Sequence, residues 1–172
     1  VEPLELFAEV ERQAEARNSE PVSDPGVVTL TPLEVEVATT VGTYRRRVSR
    51  ERGFEDSSHT AKKKRLDQDI DAAGAELAVS KLTGCRWNMT AGDDLDEPDL
   101  WPHVEVRHTT HEDGGLIVRP KDGPGRLFVL VVGTCPRYRF VGWKRGDEAC
   151  RDEYRWNDAW KVPQAHLMRF GN

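Results

Sequence analysis

Leu127-Phe-Val-Leu-Val-Val132 is an unbroken apolar run with no polar position on either side. Neighbouring residues of a strand point to opposite faces, so this segment needs cover above and below. It predicts the central strand of a sheet packed on both faces. It is far too short to span a bilayer. Other β-prone stretches flank it: Val104 to Thr110, Leu116 to Arg119 and Tyr138 to Lys144. Turn-forming stretches separate them, namely Glu112-Asp-Gly-Gly115, Lys121-Asp-Gly-Pro-Gly125 and Gly133-Thr-Cys-Pro136. Beyond them, Arg145 to Arg151 predicts a short helix, Trp156 to Trp160 a loop, and Ala165 to Met168 a last turn.

The first half reads differently. Val27 to Leu30 is short and β-prone, and Thr31-Pro32-Leu33-Glu34 is a strong helix start. Thr31 suits the N-cap, Pro32 the first helical position, and Glu34 completes a capping box. Leu33, Val37, Val41, Tyr44 and Val48 then form one apolar stripe to about Arg52. A second helix spans about Ala61 to Leu82, with Leu66, Ile70, Ala73, Leu77 and Ala78 as its buried side. Its small centre, Ala72-Ala73-Gly74-Ala75, permits close approach to a sheet, and Gly84 ends it. Helices followed by a meander of strands predict an α+β sandwich with a mixed four- to five-stranded sheet flanked by helices.

With 172 residues the chain is long enough for one self-sufficient domain, expected over residues 27–172. Residues 1–26 read as an acidic arm and linker: Leu4, Phe7, Ala8, Val10 and Ala14 have helical spacing, and Asn18 to Gly26 is rich in turn formers. This arm holds seven acids against two bases, the equal of the whole chain's net charge of -5. Tyr44 to Arg65 is its opposite, with nine bases against three acids. Within that block Arg45, Arg46, Arg47, Lys62, Lys63 and Lys64 are candidate phosphate contacts, and a solvated helix face is the plain alternative. Cys85, Cys135 and Cys150 are far apart and form no CxxC pair. They argue against a disulfide framework and suit a reducing cytoplasm. No secretory leader is visible and no membrane contact is expected.

Chemistry concentrates between Pro98 and Arg107. Asp99 lies in a Pro-rich turn, and Glu105 and Arg107 follow on a strand, on the face opposite Val104 and Val106. Two carboxylates beside a cation suit metal-assisted phosphodiester hydrolysis. Glu76 is a lone charge among the alanines of the second helix. It either reaches water at the edge of the buried stripe or has a partner.

Pro98-Asp99, then Glu105-Val106-Arg107, with Glu76 on the preceding helix, resembles the PD-(D/E)XK, restriction-endonuclease-like nuclease superfamily. It is similar in particular to small nuclease-like proteins of phages and prophages. Gly74-Ala-Glu-Leu-Ala78, Leu116-Ile-Val-Arg119, Phe140-Val-Gly-Trp143 and Val162-Pro-Gln164 carry the likeness along the chain. The resemblance implies a restriction-endonuclease-like core with a hairpin carrying the metal acids, and a metal-dependent DNA nuclease acting in a host cytoplasm. It implies Asp99 and Glu105 as ligands of Mg²⁺ (or Mn²⁺), with Glu76 as an auxiliary metal acid. Arg107 takes the place of the motif's Lys. Arginine effectively cannot lose its proton, so it would steady a phosphate, and water activation would fall to the metal or to a substrate phosphate. Asp93, Asp94 and Asp96 are alternative first ligands. Arg139 and Lys144 are further candidate phosphate contacts. The rival reading is an inactive nuclease-fold module that binds DNA or a host protein, its acids reduced to salt bridges; a homodimer stays open.

Other signals are weaker. His103, His108 and His111 raise zinc, but His108 and His111 are three apart and would face opposite ways on a regular strand. Tyr138 and Trp143 can stack on bases or fill a core. Trp156 and Trp160 would pack over a sheet edge or meet a partner.

Overall fold

The computed structural model describes residues 26–53, 62–90 and 97–169. The acidic arm and Asp93, Asp94 and Asp96 lie outside those residues. The described chain is α+β in three layers. Strand β1 (Val27–Thr29) leads into helix α1 (Pro32–Glu51), and α2 (Lys62–Thr83) follows. Strands β2 (Val104–Thr109), β3 (Leu116–Val118), β4 (Leu127–Thr134) and β5 (Arg137–Arg145) come next, then the short helix α3 (Gly146–Ala149), β6 (Arg155–Trp156) and β7 (Ala159–Val162).

The main sheet has four strands in the order β1-β5-β4-β2 and is mixed. β4 runs antiparallel to β5 and parallel to β2, with Glu105 opposite Phe128 and Arg107 opposite Leu130. The expected meander is therefore corrected. After β2 the chain leaves the sheet, forms β3 in a second sheet of order β3-β7-β6, and returns as β4. Parallel neighbours cannot be joined by a tight turn, and the excursion through β3 supplies the crossover. The loop expected over Trp156 to Trp160 is also corrected: β6 and β7 pair antiparallel around Asn157, whose φ is +53°. Asn tolerates that left-handed backbone better than most residues.

β4 is central and buried on both faces, as its composition requires. Leu127, Val129 and Val131 join Val104, Val106, Tyr138 and Phe140 in a core under the helices. Phe128, Leu130 and Val132 join Leu116, Val118, Val141 and Val162 in a second core under the small sheet. Each such fully buried side chain contributes roughly 1.5–3 kcal/mol.

The capping box at Thr31 forms as expected, with Thr31 and Glu34 exchanging backbone–side-chain bonds. The expected stripe of α1 does not form one buried face. Leu33, Val37 and Tyr44 are exposed, and the buried positions are Ala38, Val41, Gly42 and Val48. The reason is the closeness of the two helices. A Cβ built on Gly42 falls 2.7 Å from the Ile70 backbone. Contact at that range admits small residues and turns the bulky ones outward. Glu34 pairs with Lys81 at 2.8 Å and Arg46 lies 3.9 Å from Asp69, so the helices run antiparallel. On its other side α2 meets β5 through Gly74, where a Cβ would fall 2.2 Å from the Tyr138 hydroxyl. That hydroxyl donates to the Asp71 carbonyl at 3.0 Å.

Gly42→Val should force α1 off α2 and lower stability by about 1–3 kcal/mol. A urea unfolding midpoint indistinguishable from wild type would show that the contact is dispensable.

Candidate functional site

Each nominated acid is positioned by a different element. Glu76 sits at the middle of α2, where Ala73 and Ala75 are fully buried, and is itself only 6% exposed. A charge there needs partners, and it has them. Its Oε1 accepts from Arg45 Nη1 at 2.7 Å, and its Oε2 accepts from Arg45 Nη2 at 2.8 Å and from Trp87 Nε1 at 2.7 Å. The Arg45 guanidinium also donates to the carbonyls of Thr90 at 2.9 Å and Asn88 at 3.4 Å. Arg45 is half-buried, and its donors are already engaged by Glu76 and these carbonyls rather than held open for phosphate. Bidentate pairing with a carboxylate is the geometry guanidinium fits best.

Asp99 reaches the same region from a short ladder. Asn88 donates its N–H to the Asp99 carbonyl at 2.9 Å and Trp101 donates to that of Arg86 at 2.9 Å. Leu100 bridges to Trp87 and to Val104. Among the described residues Asp99 thus precedes β2 in a turn and lies on no strand. Its Oδ2 accepts from the Val106 N–H at 2.8 Å. Since β2 is the edge strand, this fixes Asp99 at the rim of the sheet.

Glu105 and Arg107 share a face as their spacing requires, with Arg107 Nη1 3.2 Å from Glu105 Oε2. Arg126 Nη1 pairs with the other oxygen of Glu105. Arg107 also pairs with Asp122 at 2.8 Å, donates to the Ile117 carbonyl at 3.2 Å and lies over the Phe128 ring. These partners belong to the side of the small sheet. Val104 and Val106, pointing the other way, belong to the core under the helices. Glu76 and Glu105 therefore lie on opposite faces of the main sheet, with Asp99 at the edge between them.

Electrostatics tie Asp99 to both. Burial pushes the Glu76 carboxyl up to about 7, the charge of Asp99 adds to the rise, and Arg45 and Trp87 oppose it. Burial also raises Glu105, again with Asp99 adding and with Arg107 and Arg126 opposing. The fit to a divalent ion is poor. Among the described residues no three His, Cys, Asp or Glu side chains stand close enough together to hold a metal. Glu76 and Glu105 already have both oxygens engaged by arginines.

A cleft of about 380 Å³ opens between α2 and β2, with Gln68 and Glu76 on one wall and His108, Thr110 and His111 on the other. The two histidines share it because β2 ends at Thr109 and the chain turns before His111. His111 lies beyond the strand, so the alternation of a regular strand does not apply to this pair. His108 Nε2 lies 2.7 Å from the Gly133 carbonyl. A carbonyl only accepts, so that nitrogen carries the proton. The turn formers Glu112-Asp-Gly-Gly115 are the sequence signal for this strand end.

The remaining candidates separate. Tyr138 and Trp143 are core residues. Arg139 pairs with Glu112 at 2.8 Å, and Lys144 donates to the His166 carbonyl at 3.0 Å. Both are on β5; the basic cluster of the helical hairpin is on α1 and α2. There, Thr43, Arg46, Arg47, Arg50, Glu51 and Leu66 line an open groove of about 570 Å³. Lys64 is exposed nearby on the first turn of α2, and Lys62 and Lys63 precede it in the helix. Trp156 is exposed with Lys161 over its ring. No family model, no curated protein and no solved structure matches the chain. No described helix is long and apolar enough to cross a membrane.

Glu76→Ala should cost about 3–5 kcal/mol, because it strands the Arg45 charge; denaturant unfolding measures it. The pH dependence has a definite sign. Folded Glu76 keeps its proton to about pH 7, whereas the ordinary value is 4.5. The folded state thus binds more protons across that window, so this group's contribution to stability falls as pH rises through it and is level above. Asp99→Asn should flatten the fall and lower the Glu76 titration midpoint followed by carboxyl NMR. An unmoved midpoint would rule out the coupling.

Proposed function

We propose that this chain is a nucleic-acid-binding module whose nuclease-like carboxylates hold arginines and whose helical hairpin presents the phosphate contacts. The observation that carries this reading is a division among the arginines. Arg45, Arg107 and Arg126 are turned inward onto Glu76 and Glu105. Arg47 and Arg50 are exposed and line the open groove together with Arg46, whose side chain is largely buried at 18% exposure. Arg46 and Arg47 touch Asp69 and Glu51 at 3.9 and 3.7 Å, too long for hydrogen bonds. Their donors suit phosphate oxygens. Tyr44 is 40% exposed beside Arg47, whose guanidinium lies 5.1 Å from its ring centre. An aromatic face next to clustered guanidinium groups suits a single strand, with bases stacking and phosphates paired.

A hydrolytic reading, a DNA nuclease dependent on Mg²⁺ or Mn²⁺, has one observation in its favour. Asp99 acts electrostatically on both Glu76 and Glu105, so three carboxylates surround one strand edge. Calorimetry with Mn²⁺ separates the two readings. Heat of binding that vanishes in Asp99→Ala, together with nicking of supercoiled DNA, would place hydrolysis first. Neither effect is expected.

Replacing Arg47 and Arg50 by Gln should weaken binding of a fluorescent single-stranded oligonucleotide for every sequence tried. It should also reduce the slope of log affinity against log salt by roughly 0.7 per lost phosphate contact. An unchanged slope would remove the groove from the interface.

A further inference from the structure

The outward face of α1 is apolar where a lone surface helix should be polar. Leu33 is 70% exposed, Val37 36% and Tyr44 40%. With Thr40 and Arg47 they follow spacings of four, three, four and three, the seam on which a second helix packs. Among the described helices and strands, α1 packs extensively on α2 alone, through Gly42 on its opposite face. Thr40 stands at the middle of the seam. Its hydroxyl already donates to the Glu36 carbonyl at 2.9 Å, so the side chain can be covered without stranding a polar group.

The charges beside this seam are asymmetric. Glu36 flanks its N-terminal half, and Arg47 and Arg50 stand at its C-terminal end, all three exposed. Glu34 is turned to Lys81 of α2 and Arg45 to Glu76, so neither charge is presented outward. Two copies of the face packed parallel would set Glu36 level with Glu36 and Arg47 level with Arg47, like against like. Packed antiparallel about a two-fold axis at Thr40, they set Leu33 level with the partner's Arg47 and Glu36 level with the partner's Tyr44. Glu36 is then about 4.5 Å along the axis from the partner's Arg47, within reach of an ion pair. Leu33 lies against the methylene stem of that arginine, whose charged end stays in water. Each contact occurs twice, as a self-complementary surface requires.

We infer that two copies of this chain associate through α1, antiparallel about a two-fold axis at Thr40. The face carries both members of its own ion pair, on either side of a small central residue, and that selects a second copy as the occupant. A helix face about 30 Å long and about 10 Å wide offers roughly 300 Å², well below the about 800 Å² per partner of a standard interface. The association is therefore weak and reversible. It stands on α1 alone and does not rest on the nucleic-acid reading.

Sedimentation equilibrium of the full chain from about 10 µM to about 1 mM tests it, a range that reads dissociation constants up to the millimolar scale. Wild type should pass from monomer toward dimer. Val37→Asp should weaken the association by about tenfold or more, and Glu36→Arg several-fold, by repelling the partner's Arg47. Glu36→Arg combined with Arg47→Glu restores opposite charges and should regain most of that loss. Circular dichroism confirms that each variant keeps its helices, and Tyr44→Ser serves as the apolar probe if Val37→Asp does not. A chain that stays monomeric at about 1 mM would overturn the inference and leave the stripe to another segment or another protein. Dimers that form equally well in Val37→Asp and Tyr44→Ser would overturn it by placing the contact elsewhere. A double charge variant that associates no better than Glu36→Arg alone would overturn the antiparallel arrangement.

Discussion

A carboxylate in the middle of a helix packed on two sides fixes much of this architecture. Glu76 cannot be desolvated alone at any acceptable cost. Its two oxygens therefore draw Arg45 across from α1 and Trp87 back from the segment after α2. Arg45 in turn takes the Thr90 and Asn88 carbonyls, which stand where the chain runs beside Pro98 to Trp101. The ladder that results delivers Asp99 to the edge of β2. One buried charge thus links the helical hairpin, the irregular segment and the sheet. The close contact at Gly42 is what allows a guanidinium from α1 to reach so far inward.

The layering explains why the acids do not assemble as their order along the chain suggests. A strand alternates, so Glu105 shares a face with Arg107 and must oppose Val106. Val106 belongs to the helix side, hence Glu105 belongs to the side of the small sheet. Glu76 comes from a helix on the first side. Asp99 is the one acid that the edge position leaves open to both. Each side balances its buried carboxylate with its own arginines, Arg45 on one and Arg107 with Arg126 on the other.

Local signals in the sequence were sufficient for several parts of this arrangement. The capping box at Thr31, the end of α2 at Gly84, the two-faced burial of β4 and the common face of Glu105 and Arg107 all follow from contacts within a few residues. What was not legible depends on pairing between distant segments. The inner face of α1 is chosen by Gly42 meeting Ile70, and hydrophobicity alone selected Leu33 and Tyr44 instead. The parallel pairing of β2 with β4 depends on β3 leaving for another sheet. The β6–β7 hairpin is short and polar, and its only local mark is Asn157 between two tryptophans. The partner of Glu76 was out of reach for a further reason. Arg45, Arg46 and Arg47 are consecutive and chemically alike, and only the rotation of α1 sends the first inward and the third outward.

That rotation also sets the electrostatic character of the surface. A helix advances about 100° per residue, so three successive arginines cannot all face one way. Arg45 is spent on Glu76, whose burial raises its proton affinity. Arg47 is left over an exposed tyrosine. Had α1 been turned to bury Leu33, Val37 and Tyr44, Gly42 would have faced away from α2 and the hairpin could not have closed at its present distance. The exposed apolar stripe and the internal ion pair are therefore two consequences of one choice. A fold that needs a small residue at the helix crossing leaves its larger apolar residues for something else to cover.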